Sequence, residues 1–117
     1  MDILFADANL RRDCTDFDRA KRRWGLPAAK KLFRHLGQVG ECVSFADLWK
    51  LKHLGLEQLE KRKGKREGQW AIRAKDGLRV VFFPVGDEAT WRDSKGNLIW
   101  HKMNKIEIIE VTDYHDE

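Results

Sequence analysis

Cysteine is scarce: Cys14 and Cys42 stand far apart, with no metal-ligand spacing around either. That pattern points to free thiols in a reducing cytosol rather than to a bridge. No stretch approaches the ~20 consecutive apolar residues of a membrane span. The start, Met1-Asp2-Ile3-Leu4-Phe5-Ala6-Asp7, has neither a basic leader nor a long apolar run, so it reads as a first strand and not as a signal peptide. Four histidines, at positions 35, 53, 101 and 115, form no cluster with carboxylates at ligand spacing, so no metal is expected. Internal repeats and low-complexity segments are absent as well. These absences leave a cytoplasmic globular protein with no membrane partner and no cofactor.

What is present is charge. Charged residues make up 36% and hydrophobic ones 42% of 117 residues, enough for one domain, 1–117, with a real core. A net charge of +4 and a pI near 9.2 favour a polyanionic partner. A solvated, lysine-rich surface accounts for the same numbers, and composition does not separate the two.

Along the chain, Asp7 to Cys14 reads as polar and irregular. Thr15 or Asp16 caps a helix in which Phe17, Ala20 and Trp24 recur at helical spacing, and Gly25 ends it. Pro27 suits the first turn of a second helix, with Leu32, Phe33 and Leu36 opposite Lys30, Lys31 and Arg34; Gly37 to Gly40 closes it. Ser44 with Asp47 resembles a capping box before a short helix whose buried side is Phe45, Leu48 and Leu51. From Leu54 to Glu60 a helical turn and an extended approach fit equally.

The stretch Lys61-Arg62-Lys63-Gly64-Lys65-Arg66 puts five cations in six residues. It is expected to be exposed, and its glycines allow close approach to an anionic ligand. It feeds a β-hairpin from Gln69 to Phe83. Asp76-Gly77 at the turn suggests type I′, with positive φ at both central residues. With that two-residue turn, Arg79 shares a face with Trp70, Ile72, Val81 and Phe83, the apolar face, which is awkward for a ligand-binding arginine. Residues 85–103 form an inserted hairpin about Asp93-Ser94-Lys95-Gly96-Asn97; exposed, Trp91 and Trp100 would mark an interface, but stacking on each other across the turn is the favoured expectation. A last strand from about Lys105 changes phase between Ile106/Ile108 and Ile109/Val111, which predicts a β-bulge near Ile108. Beyond it stand Asp113, Tyr114 and His115. The order β-α-α-(short α)-β-β-β describes an α+β domain, a helical hairpin packed on a mostly antiparallel sheet.

Several of these pieces, in this order, resemble the RelE/HigB toxins of bacterial type II toxin–antitoxin systems, in the RelE/ParE superfamily. They are Lys63-Gly64-Lys65-Arg66-Glu67-Gly68-Gln69-Trp70-Ala71-Ile72, then Arg79-Val80-Val81-Phe82, then Asp113-Tyr114-His115. The sequence departs from that branch in having Leu78 before the second-strand arginine, Glu60 near an upstream histidine position, and a long 85–103 insertion. The resemblance implies a compact RelE-like fold and a ribosome-dependent endoribonuclease, an mRNA interferase using 2′-OH attack on the adjacent phosphate. It implies Lys63, Arg79, Tyr114 and His115 as catalytic residues, with Arg66 a further candidate for the cationic role. Lys61, Arg62, Lys65, Arg66, Arg73 and Asp113 would bind RNA. The implied partners are the ribosome, mRNA and a cognate antitoxin of helix-turn-helix type. Three rivals stand beside this reading: a ParE-like gyrase poison, a non-catalytic basic nucleic-acid-binding module, and a degenerate toxin. Arg73 can also be a plain cross-strand partner of a carboxylate, and Tyr114-His115 a frayed terminus.

Overall fold

The computed structural model describes residues 1–59 and 66–113. Strand β1, Asp2–Phe5, leads into helix α1, Ala8–Thr15, where an irregular segment was expected. The reason is local: the Asp7 carboxylate accepts the Leu10 N–H at 2.8 Å, capping the first turn. Helix α2, Phe17–Trp24, is capped by Asp16, whose side chain accepts from the N–H groups of Asp18 and Arg19. Gly25, at φ 88°, separates it from α3, Leu26–Glu41, which carries Pro27 in its first turn. Helix α3 runs through Gly37 and Gly40 rather than ending there. Leu36 and Val39 keep the helical spacing of buried positions, and added Cβ atoms at both glycines would meet nothing within 4 Å. Helix α4, Phe45–Lys50, starts at Ser44 as expected. Asp47 reaches back to the Val43 N–H at 2.8 Å.

A 3-10 turn at Lys52–Leu54, ended by Gly55, and the two-residue strand β2, Glu57–Gln58, follow, so over the described part of 54–60 the extended reading holds and the helical turn lies just before it. Strands β3, Trp70–Arg73, β4, Arg79–Pro84, and β5, Lys105–Thr112, complete one sheet in the order β1-β5-β4-β3-β2. Only β1 with β5 is parallel, so the sheet is mostly antiparallel. Val81 faces Glu110 while Phe82 faces Ile108, leaving Ile109 as the extra residue of the bulge.

The helices cover one sheet face. Phe45 sits edge-on to Trp70 at 5.2 Å and to Phe82 at 5.9 Å. Leu32, Leu48, Ile72, Val80, Ile106 and Ile108 fill the space around them. The 85–103 segment has 3-10 turns at Glu88–Trp91 and Trp100–Lys102, joined by a single bridge between Arg92 and Leu98. Its tryptophans do not form the expected pair. Trp91 is buried against Gly86, and Trp100 packs edge-on to Trp70 (5.4 Å) and at a tilt to Trp49 (5.5 Å), tying the segment to the body. Among the described residues no helix is long and apolar enough to cross a membrane.

Candidate functional site

The hairpin register decides which side chains meet solvent. Arg73 pairs with Arg79, Ile72 with Val80, Ala71 with Val81 and Trp70 with Phe82. The turn is one residue longer than expected. The Ala74 N–H donates to the Leu78 carbonyl at 2.9 Å, and Lys75, Asp76 and Gly77 lie between them. Asp76 alone of the Asp-Gly pair has positive φ, 51°, so the turn is not type I′. A shift of one residue moves every side chain of a strand to the other face. Arg79 therefore joins Arg73, Ala71 and Val81 on the face away from the helices, and not Trp70 and Ile72 on the packed face.

On that open face a small apolar floor of Leu59, Ala71 and Val81, with Ile109 against it, is ringed by polar groups. Arg73 and Arg79 are directly opposed like charges, an arrangement that repels. Their heads part accordingly. Arg79 Nη1 donates to the Asp76 carbonyl at 2.5 Å and the Leu78 carbonyl at 3.2 Å, folding over the turn. Arg73 leans the other way, over Gly55, where a Cβ would come within 3.1 Å of its Nη2. Gly55 also sits at φ 58°, so two independent constraints select glycine there.

The carbonyl of Arg73 accepts from Nδ1 of His35 at 2.5 Å. His35, on α3, is 5% exposed, and burial pushes its pKa below the usual histidine value, holding a neutral ring with the proton on Nδ1. Its ring meets His53 edge-on at 5.4 Å, and His53 Nε2 donates to Gln38 Oε1 at 2.6 Å. A helix thus holds the last residue of β3 in place beyond the end of β2.

Arg66 departs from expectation. It is 7% exposed rather than on the surface, and its Nη1 pairs with the Glu110 carboxylate and donates to Gln69 Oε1 at 3.1 Å. Glu110 lies across from Val81, so Arg66 reaches over the open face and closes its apolar floor. Sequence reading missed Glu110. The signal available was its place just after the phase change in β5, where a bulge re-aims the following side chain.

Thr112 pairs with Arg79, so Arg73, Arg79 and Thr112 form one rung across β3, β4 and β5. Asp113 follows at once, exposed, and lines a cleft of about 400 Å3 with Trp24, Pro27, Ala28, Lys75 and the hairpin turn. Lys61, Arg62, Lys63, Lys65, Tyr114 and His115 lie outside the described residues. Segment 60–65 is bounded by Leu59, whose N–H donates to Gln69 at 2.8 Å, and by Arg66.

Both cysteines are buried and unbridged. Burial, with Asp13 adding and Arg23 opposing, pushes Cys14 up to about 12, leaving an unreactive thiol; burial raises Cys42 too. Among the described residues no group of three or more His, Cys, Asp or Glu side chains is placed to hold a metal ion.

Compared by sequence, the chain matches no protein-family model and no curated protein. In three dimensions it is similar to the YoeB/ParE toxin from Agrobacterium tumefaciens, with a TM-score of 0.52 over 98% of this chain and 100% of that one, at 14% identity. At that identity the likeness establishes the architecture: this chain has the α+β, RelE-like fold of that protein, helices on one face of a five-stranded mixed sheet.

Proposed function

We propose that the protein is the toxin of a type II toxin–antitoxin pair, HigB-like within the RelE/ParE superfamily, and a metal-independent, ribosome-dependent endoribonuclease. One observation carries this reading: Arg73, Arg79 and Thr112 share a rung of the open sheet face, which puts two of the candidate arginines side by side away from the helices. The shared fold with a protein described as a YoeB/ParE toxin supports it.

In the reaction, a base takes the proton of a ribose 2′-hydroxyl as its oxygen bonds to the adjacent phosphorus. The 5′-oxygen leaves with a proton from an acid, yielding a cyclic phosphate and a 5′-hydroxyl. Arg79 and Lys63 hold the phosphate oxygens as their charge grows, and arginine's planar fork suits two of them. Tyr114 and His115 are the acid–base pair and a stacking surface. Lys61, Arg62, Lys65 and Arg73 hold the flanking backbone, and Asp113 orients His115. Arg66, committed to Glu110, acts as an anchor of the basic segment rather than as a phosphate ligand. The partner is a small antitoxin with a helix-turn-helix part, which neutralises the basic surface or docks away from it.

The test is primer extension on mRNA after brief expression of the wild type, Arg79→Ala and His115→Ala. New ends on translated messages with the wild type, lost in both variants, are expected. Growth arrest with intact mRNA would instead favour a gyrase poison, the second activity class suggested by the ParE in that neighbour's name. Intact mRNA with normal growth would leave a binding module or an inactive relative.

A further inference from the structure

The chain's positive charge is not confined to the basic loop. Residues 8–41, the three helices α1–α3, hold nine Lys and Arg against four Asp and Glu, a net of +5 in a chain of net +4. Everything else, the loop included, sums to −1.

Most of the carboxylates in this layer are engaged. Asp13 is held by Arg19 at 3.0 Å and Arg23 at 3.6 Å. Asp16 caps α2, and Asp18 sits in the first turn of that helix. Lys21 and Arg22 on α2, and Lys30, Lys31 and Arg34 on α3, are exposed, and none has an ion-pair partner among the described residues. These positions fall opposite the buried Ala20 and the buried Ala28, Ala29, Leu32 and Leu36, on the outside of two helices packed side by side. They face away from the sheet.

Phe17 and Phe33 meet edge-to-face at 5.3 Å, and Trp24 lies under Arg23 at 5.5 Å. The sole large apolar residue of α1–α3 that is exposed is Leu26. A protein interface centred here would lack the aromatic or aliphatic anchors that supply affinity, and a single-strand site would lack stacking platforms. Exposed cations on the outer side of two helices, without anchors, match the phosphate ridges of a duplex, recognised by shape and backbone charge.

We propose that the outer face of α2 and α3 is a second nucleic-acid surface that grips the backbone of double-helical RNA, while the open sheet face on the opposite side handles a single strand. The choice of RNA rests on the reading of the protein as an mRNA-directed enzyme; the duplex contact itself does not depend on cleavage.

The experiment is fluorescence anisotropy with a mixed-sequence RNA duplex of about 16 base pairs, long enough to present two successive minor grooves. Wild type, Lys30→Ala/Lys31→Ala/Arg34→Ala and Arg79→Ala are compared across about 50–200 mM salt. The triple variant should bind about tenfold or more weakly, and its log–log salt slope should shrink by roughly 2 to 3, about one phosphate per cation. Arg79→Ala should bind the duplex as the wild type does, even where it abolishes mRNA cleavage. Because all three substituted side chains are exposed, the urea midpoint should not move, which separates lost binding from lost folding. Undiminished binding by the triple variant would overturn the proposal. Equal or tighter binding to the same sequence as a DNA duplex would overturn the assignment to RNA. Absence of duplex binding by the wild type would overturn it too, leaving this face to an acidic protein.

Discussion

The two faces of the sheet are built from strands of the same composition and differ by alternation alone. Toward the helices stand Trp70, Ile72, Val80, Phe82, Ile106 and Ile108, all at 3% exposure or less. On the other side, Ala71 and Val81 make a floor small enough for Leu59 and the Arg66–Glu110 pair to close, with Arg73 and Arg79 at its rim. The packed face is specified by many large residues and tolerates no shift. The open face is specified by one turn residue and one bulge. Its chemistry therefore depends on backbone geometry more than on the identities of the strand residues.

Substitutions on either side should break this contrast unequally. The largest effect is expected from Phe82→Ala, which empties a fully buried site beside Phe45; a loss of about 3–5 kcal/mol in urea unfolding follows from the cavity left behind. Next comes the link between the faces, His35. Its folded pKa is lowered, so stability is full above the unfolded value near ~6.5 and declines as pH falls below it. The urea midpoint should drop between about pH 7 and 5.5 in the wild type and stay flatter in His35→Asn. His35→Leu, which leaves the Arg73 carbonyl without its donor, should cost about 1–3 kcal/mol at neutral pH. A smaller loss, about 1 kcal/mol, is expected for Gly55→Ala from positive φ alone. In that variant Arg73 must move, so RNA affinity should fall more than stability does. The smallest change belongs to Asp76→Gly, which relieves φ 51° and should alter stability by less than about 1 kcal/mol. A large destabilisation there would mean the aspartate side chain, and not its backbone, sets the hairpin register.

Much of the architecture was readable because it is written in short-range chemistry. Asp16, Ser44 and Pro27 announce helix starts, and the change of phase at Ile108–Ile109 announces the bulge that the β4–β5 ladder contains. Where local signals were outvoted, reading failed. Helix α1 looks irregular because Asp13 is on its buried side, a placement made tolerable by arginines six and ten residues later. Gly37 and Gly40 look like an ending, yet α3 continues because tertiary burial of Val39 outweighs two exposed glycines. The turn Asp76-Gly77 is real, but three residues and not two lie between Ala74 and Leu78, a difference that the Asp-Gly signal does not specify. That single count moved Arg79 to the solvent face. Arg66 was legible as a cation and not as a buried one, because Glu110 lies forty-four residues away.

The parallel pairing of β1 with β5 has a consequence for how the protein comes into being. Residues 2–5 need residues 105–108 as their partner, and β5 also bridges β1 to the rest of the sheet. During vectorial synthesis the helices and the β2–β3–β4 pairings can form early, but β1 has no partner until β5 has left the ribosome. Such long-range closure slows folding. The rung of Arg73, Arg79 and Thr112 is completed in that same closing step, so a nascent or prematurely terminated chain lacks the finished open face.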